Sequence, residues 1–328
     1  MSKPRILSGI QPTGKLHIGN YLGALKNFVE LQNSGKYDCY FCIVDYHSIT
    51  EDYEPRQKPR IILDLALDYL AAGLNPKKST IFLQSQVPQH LELAWIFNTI
   101  TPIAELTRMT QFKDKAARQV KNINAGLFTY PVLQAADILI YKPQAVPIGH
   151  DQLQHLELTN DIGRRFNHKF GHTFETVKPL LTKQPRVMSL LEPSKKMSKS
   201  EPAGCIFLTD GPDEILQKIK RAVTDTSPAK EKTPGVANLF SLLAEFGTAE
   251  NVKNFETAYA EGSIRYSELK ESLASLVAEY FMEFRKTREK LAAKPKDLIK
   301  LLENGSAKAA KVAAGTLSEV KTKIGLAL

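Results

Sequence analysis

Three short apolar runs with helical segments between them constrain this chain most. They are Arg5-Ile-Leu-Ser-Gly9, Cys39-Tyr-Phe-Cys-Ile-Val44 and Thr80-Ile-Phe-Leu83. The second run shows no polar alternation, which marks a strand buried on both faces. Between the first two, Ile18, Leu22, Leu25 and Val29 repeat at helical spacing, and Asn33-Ser-Gly35 ends that helix on a left-handed glycine. Pro59 to Ala72 is the second helix, closed by Gly73 and Pro76. Parallel strands need a crossover connection, usually a helix. The pattern therefore predicts an α/β fold with a doubly wound, Rossmann-type parallel sheet. Residues 90–142 read as a mainly helical insertion, and the sheet is expected to resume near Val146 and Val187. A polar loop follows at Leu191–Gly204 and a second flexible stretch at Asp225–Gly235. Beyond it the chain reads as helix, with stripes at Leu269, Leu273, Leu276, Tyr280 and Phe284 and at Ala310, Ala313, Leu317, Val320 and Ile324. The expected organisation is a catalytic domain over 1–205 and an all-helical C-terminal domain over 206–328.

A chain of 328 residues suits two domains. No apolar run approaches the roughly 18 residues of a membrane span, so no membrane role is expected. Three cysteines are too few for a disulfide scaffold and point to a reducing, cytoplasmic setting. Lys and Arg exceed Asp and Glu by nine, and residues 1–205 carry seven of that excess. This suits phosphates or a polyanion, although solubility charge gives the same count. No acid precedes Glu30, as in an organelle transit peptide, but the segment reads as folded structure.

The loop Gly9-Ile-Gln-Pro-Thr-Gly14-Lys15-Leu16 nearly spells a phosphate-binding P-loop, yet Leu16 stands where that motif needs a hydroxyl for Mg²⁺. The loop runs instead into His17-Ile-Gly-Asn20 at a helix start. His17 and Asn20 fall on one side of the first turn, and the helix N-terminus adds N–H donors for phosphate. Gly19 would let a flat base approach the backbone. Far downstream, Lys196-Met-Ser-Lys-Ser200 offers two ammonium groups and two hydroxyls in a loop bounded by Pro193, Pro202 and Gly204. Cys39 and Cys42 form a C-x-x-C, but residues three apart on a strand point to opposite faces. They read as buried thiols, and no metal site is expected.

The two motifs in this order are the signature of class I aminoacyl-tRNA synthetases. With Ser8–Leu25, Phe41-Cys-Ile-Val-Asp45, Arg108-Met-Thr-Gln-Phe-Lys113 and Gly149–Leu158, the chain resembles the bacterial-type tryptophanyl-tRNA synthetases over nearly its full length. The resemblance implies that Asp137 accepts the indole N–H of tryptophan, which fits a donor-only ring and an acceptor-only carboxylate. It places Tyr130 and Gln152 on the substrate ammonium, Gln11 and His47 beside its carboxylate, and Leu7, Gln134, Val146 and Ile148 around the ring. It assigns to ATP Gln11, Pro12, Thr13, Gly19, Asn20, Gly149, Asp151, Gln152, Val187, Met188, Lys196, Met197, Ser198, Lys199 and Ser200. Catalytic roles fall to His17, Asn20, Lys196, Lys199 and Lys115, with Lys113 as the alternative to the last.

Three positions depart from the family pattern. Glu201 follows the lysine loop in place of aspartate, Gln134 stands where many relatives have methionine, and Leu7 stands where an aromatic often packs. Tyr130, Gln134 and Asp137 at spacing 0, 4, 7 also match tyrosyl-tRNA synthetases, which leaves tyrosine as the alternative substrate. The implied reaction joins tryptophan to ATP as an adenylate and then charges tRNA(Trp). Its implied requirements are ATP and Mg²⁺, and its implied assembly is a homodimer with an anticodon-binding helical domain. A nucleotidyltransferase without tRNA would share His17–Asn20 but not need the helical C-terminal part. A non-catalytic RNA-binding relative would not need the lysine loop.

Overall fold

The computed structural model describes residues 3–109, 123–181, 186–225 and 231–327. Five strands form one sheet: β1 Arg5–Ile10, β2 Asp38–Ile43, β3 Ser79–Leu83, β4 Ala145–Ile148 and β5 Lys178–Leu181. Their order is β3-β2-β1-β4-β5 and every pair is parallel. Ile6 of β1 stands opposite Cys39 on one side and Ala145 on the other. The first three strands lie where the apolar runs are. β5 does not lie near Val187. It is Lys178-Pro-Leu-Leu181, largely exposed, and a lysine and a proline are what an edge strand tolerates.

The connections follow the doubly wound pattern. The helix after the first loop runs as α1 Ile18–Asn20, a π-turn over Tyr21–Leu25, and α2 Lys26–Asn33. Gly35 then takes φ +67°. α3 is Lys58–Ala71, and Gly73 beyond it has φ +110°. The buried Tyr69 of α3 ties two strand ends together: its hydroxyl donates to Cys42 O at 3.1 Å and accepts from Ile10 N at 3.0 Å. The insertion contains α4 Gln89–Asn98, α5 Ile103–Thr107 and α6 Ala125–Leu139. α7 Leu153–Phe170 follows β4.

The remaining helices are α8 Pro212–Lys220, α9 Pro234–Phe246, α10 Ala249–Ala260, α11 Tyr266–Tyr280, α12 Met282–Ala292 and α13 Pro295–Lys323. On α11 the buried row is Leu269, Leu273 and Val277, continuing to Phe281. Leu276 and Tyr280, expected in the stripe, lie off it: Leu276 is half-buried and Tyr280 exposed. The stripe on α13 buries Ala313, Leu317 and Val320 in the core of the sheet.

The chain divides into two compact units, and the boundary is not at 205/206. One unit comprises Met1–Thr13, Asn27–Lys183 and Lys294–Leu328; the other comprises Gly14–Lys26 and Gln184–Ala293. Two causes are visible. In the first unit, α13 packs on β3 so closely that a Cβ at Gly305 would lie 1.8 Å from Ile81 O. Ser306 Oγ accepts from Leu83 N at 3.2 Å, so the helix covers the sheet edge. In the second unit, Ile18 N donates to Ile206 O and Leu208 N to Leu16 O, each at 3.0 Å. That brings the His17 segment to the chain beyond the lysine loop. Tyr21 in the π-turn then packs its ring on Phe281, with centroids 5.0 Å apart.

Cys39, Cys42 and Cys205 are buried and unpaired. Burial pushes the Cys39 thiol up to about 11, Cys205 up to about 12 and Cys42 well up. They stay thiols at neutral pH and do not act as thiolates. Among the described residues no group of three or more His, Cys, Asp or Glu converges as metal ligands.

Candidate active site

In an open parallel sheet, ligands bind beyond the carboxyl ends of the strands where the strand order reverses. Here that point lies between β1 and β4, in the first unit. The chain leaves β1 through Gln11, Pro12 and Thr13, with Thr13 N donating to Gln11 O at 2.9 Å. It leaves β4 through Gly149 into a 3-10 turn at His150–Gln152. Asp151 is exposed and Gln152 half-buried. Gln152 donates to Asp151 Oδ2 at 3.3 Å and accepts from Gln134 Nε2 at 3.5 Å. Leu7, Val146 and Ile148 share one apolar cluster with Ala135 and Ala136.

α6 positions the trio. Tyr130, Gln134 and Asp137 recur at i, i+4 and i+7, one face of a helix. Asn124 starts this helix by accepting from Leu127 N at 2.9 Å. Tyr130 lies edge-on to His47, ring centroids 6.2 Å apart. Its hydroxyl is 3.1 Å from His155 Nε2. Burial, then the charge of Glu51, pushes the phenol up to about 12, so it remains protonated.

Asp137 is the electrostatic centre. It is 5% exposed. Its carboxylate accepts from His47 Nε2 at 2.6 Å, from His90 Nδ1 at 2.5 Å, and from Gln84 Nε2 at 2.8 and 3.0 Å. Burial alone would raise this carboxyl. The charge and hydrogen bond of His47, with the hydrogen bond and charge of His90, outweigh burial and hold it well below the usual carboxylate range. An ionised, buried acceptor can receive one N–H from a ligand ring.

The second unit holds the other motifs. His17 caps the helix at Ile18. Gly19 N donates to His17 Nδ1 at 3.1 Å, and His17 N donates to Asn20 Oδ1 at 3.2 Å. A Cβ at Gly19 would sit 2.9 Å from the imidazole. Here, then, the glycine serves the fold-back of His17, not only the approach of a base. Burial, then Lys199, drives the His17 pKa from 6.5 to about 4. The ring is neutral at physiological pH. Because Nδ1 accepts from a backbone N–H, the ring proton resides on Nε2, which is thereby a donor.

The lysine loop sits on a short hairpin. Met197 N donates to Val187 O at 3.0 Å and Ser189 N to Lys195 O at 2.9 Å, with Met188 bridged to Lys196. Met197 is buried while Lys196, Ser198 and Ser200 are exposed. Val187 and Met188 thus form the base of the loop. Lys199 Nζ donates to Gly14 O at 3.2 Å, and Ser198 and Ser200 pair through their hydroxyls at 2.8 Å. Lys195 is held by Glu192 at 2.5 Å, with Glu201 3.9 Å away. Lys113 and Lys115 lie outside the described residues.

Motif reading missed Gln84, His90, Tyr141 and His155. Gln84 had a usable signal, since it follows directly on a strand of an α/β sheet, where ligand-facing groups gather. His90 had none in sequence, because its role comes from burial next to a carboxylate 47 positions away.

The comparisons with known proteins agree with one another. Residues 1–282 match the family model for class I tRNA synthetases (W and Y). A tryptophan–tRNA ligase from Caldanaerobacter subterraneus subsp. tengcongensis is 44% identical over 99% of both chains. The crystal structure of tryptophanyl-tRNA synthetase from Campylobacter jejuni with ADP and tryptophan superposes at TM-score 0.87. It is 34% identical and covers 98% of this chain and 100% of that one. A tyrosyl-tRNA synthetase from Archaeoglobus fulgidus is 19% identical at TM-score 0.68 and covers 87% and 90%, a likeness of fold alone.

Proposed function

The chain belongs to the class I tRNA synthetases for tryptophan and tyrosine, and from that membership we infer that it is a tryptophan–tRNA ligase. It joins tryptophan to ATP as tryptophanyl-adenylate, releasing pyrophosphate, and passes tryptophan to the terminal ribose of tRNA(Trp). The full-length match to a tryptophan–tRNA ligase carries this reading. The Tyr130, Gln134 and Asp137 trio suits a phenol as well as an indole, but the tyrosyl relative named above shares only the fold.

The roles are those the resemblance assigns, and the geometry within each unit supports them. Asp137 takes the indole N–H, and Leu7, Val146 and Ile148 shape the ring wall, with Gln134 beside them. Tyr130 and Gln152 hold the ammonium. His47 now spends its Nε2 on Asp137; arriving tryptophan takes that place, and His47 turns to the substrate carboxylate with Gln11. The nucleophile is that carboxylate, already ionised at neutral pH, so no general base is needed. The protein's task is alignment and charge stabilisation on the leaving pyrophosphate. His17 Nε2–H, Asn20, Lys196 and Lys199 are donors for it, and the resemblance assigns Lys115 the same role. By resemblance, Pro12, Thr13, Gly149 and Asp151 of the first unit and Gly19, Val187, Met188, Met197, Ser198 and Ser200 of the second are assigned to the nucleotide.

Mg²⁺ supplies charge neutralisation on a triphosphate. The imidazole, amide, hydroxyl and ammonium donors of the second unit do not make a carboxylate cage, so the ion would be held by the phosphates. The helical part beyond residue 206 is the candidate tRNA contact beyond the acceptor end, with α8 to α12 its members in the second unit. Leu91 and Trp95 share a face of α4, and Trp95 and Ile103 are 72% and 71% exposed. Such an apolar face supports a homodimer. Three buried free thiols suit the reducing cytoplasm, and among the described residues no helix is long and apolar enough to cross a membrane.

Pyrophosphate exchange with each standard amino acid tests the assignment. Tryptophan alone should support exchange; a preference for tyrosine would return the trio to its tyrosyl reading.

A further inference from the structure

Two of the groups around Asp137 are wholly sequestered. Gln84 is 0% exposed. Its Oε1 accepts from Tyr46 N at 3.1 Å, so its amide cannot flip, and Nε2 is committed to the carboxylate. His90 is also 0% exposed. Its Nδ1 faces Asp137 Oδ1 at 2.5 Å and its Nε2 faces Tyr141 Oη at 2.7 Å. An ionised carboxylate only accepts, so Nδ1 carries the proton. Nε2 pairs with the Tyr141 hydroxyl, which fixes the plane of the ring. Tyr141 is itself buried, packed against Phe82 and Tyr40 at centroid distances of 5.5 and 5.1 Å. The contacts from Tyr141 to His90 to Asp137 therefore form one chain that ends on Oδ1. His47 holds Oδ2 and retains some exposure, at 5%.

We propose that His90, its ring held in place by Tyr141, is a positioning residue for substrate selection: it pins Oδ1 so that Oδ2 is the oxygen left for a ring N–H. The inference rests on the tryptophan reading above and adds the device that makes the acceptor selective. A carboxylate free to rotate would accept a donor from several angles or satisfy itself with water. A pinned one demands a donor at one place. A ring of the same shape without an N–H would leave Oδ2 buried and one donor short, with only Gln84 on it, or leave His47 in possession of it. His90 does not touch the reacting atoms, so its loss should act on recognition and not on the chemical step.

The experiment is pyrophosphate exchange with tryptophan and with its benzothienyl analogue, in which sulfur replaces the ring N–H, each as kcat/KM. The parent protein should prefer tryptophan by about 100-fold or more. His90→Leu should shrink that ratio at least about tenfold, through a higher KM for tryptophan and little change in kcat. His90→Asn places an amide donor near the position of Nδ1 and should restore most of the ratio. Tyr141→Phe, which removes a single oxygen, should shrink it about threefold. If His90→Leu lowers both substrates equally and leaves the ratio intact, the residue only packs and the proposal is overturned. Should His90→Leu fail to fold, an unchanged ratio in Tyr141→Phe overturns it alone. Asp137→Ala separates the two readings. If that variant keeps the parent ratio, Asp137 does not read the indole, and the site assignment falls together with this proposal. If it loses the ratio while the His90 and Tyr141 variants keep it, only this proposal falls.

Discussion

His17 and Lys199 show how the setting of a residue decides its chemistry. A histidine held neutral by burial adds stability that is fully present above its unfolded pKa, here 6.5, and is lost as pH falls toward about 4. The sign follows from proton counting: between those values the unfolded chain binds a proton that the folded one refuses. A shift of this size corresponds to about 3 kcal/mol. Acid unfolding of His17→Asn, followed by circular dichroism, should therefore lose much of the slope between pH 6.5 and 4; an unchanged slope would place a charged imidazole there. Lys199 acts differently. Its ammonium is expected to meet charge that develops only in the transition state. Lys199→Ala should slow adenylate formation by two to three decades, about 3–4 kcal/mol, while tryptophan affinity by calorimetry stays nearly constant. An unchanged exchange rate would remove the lysine loop from the mechanism.

Among the elements, α13 illustrates how one small residue sets a helix against a sheet. Gly305 leaves room for Ile81 O where any Cβ would collide with backbone. Backbone does not rotate away as a side chain would. Gly305→Ala should lift α13 from β3, weaken the Ser306 bond to Leu83 N, and cost about 3 kcal/mol or more in denaturant unfolding. Gly315 lies on the same helix with nothing within 4 Å of its would-be Cβ. Gly315→Ala should stabilise by about 0.5–1 kcal/mol through helix propensity alone. Equal effects of the two substitutions would mean that α13 does not seat on the strand. Leu83 directly precedes Gln84, so the same contact lies next to the clamp on Asp137. Gly305→Ala should thus also raise the KM for tryptophan in exchange assays.

For the whole molecule, the exposed Leu91 and Trp95 face sets an expectation about assembly. Placing a charge in an interface core removes its apolar burial and leaves an unpaired charge in its place. Trp95→Glu should run as a monomer in light scattering where the parent runs as a dimer. A dimer that survives the substitution would move the interface to another face.

The strands β1 to β3, the crossover helices and the two motif loops were all legible in the sequence, because each is specified by neighbours a few positions away. Periodicity of apolar residues, a glycine after a helix and a proline at a loop are local facts. The substrate class was legible only through the family motifs. What the sequence left open depends on distance in space. β5 is an edge strand whose pairing with β4 makes it a strand, and Lys-Pro-Leu-Leu carries no such mark. The second unit joins residues 14–26 to residues 184–293, where Leu16 and Ile18 share backbone bonds with residues 208 and 206. The shell of Asp137 draws His47, Gln84 and His90 from three different segments. Local patterning records which face of an element is buried; only the folded chain decides which polar groups meet there, because hydrogen bonds between distant segments exist only once the sheet has brought their ends together.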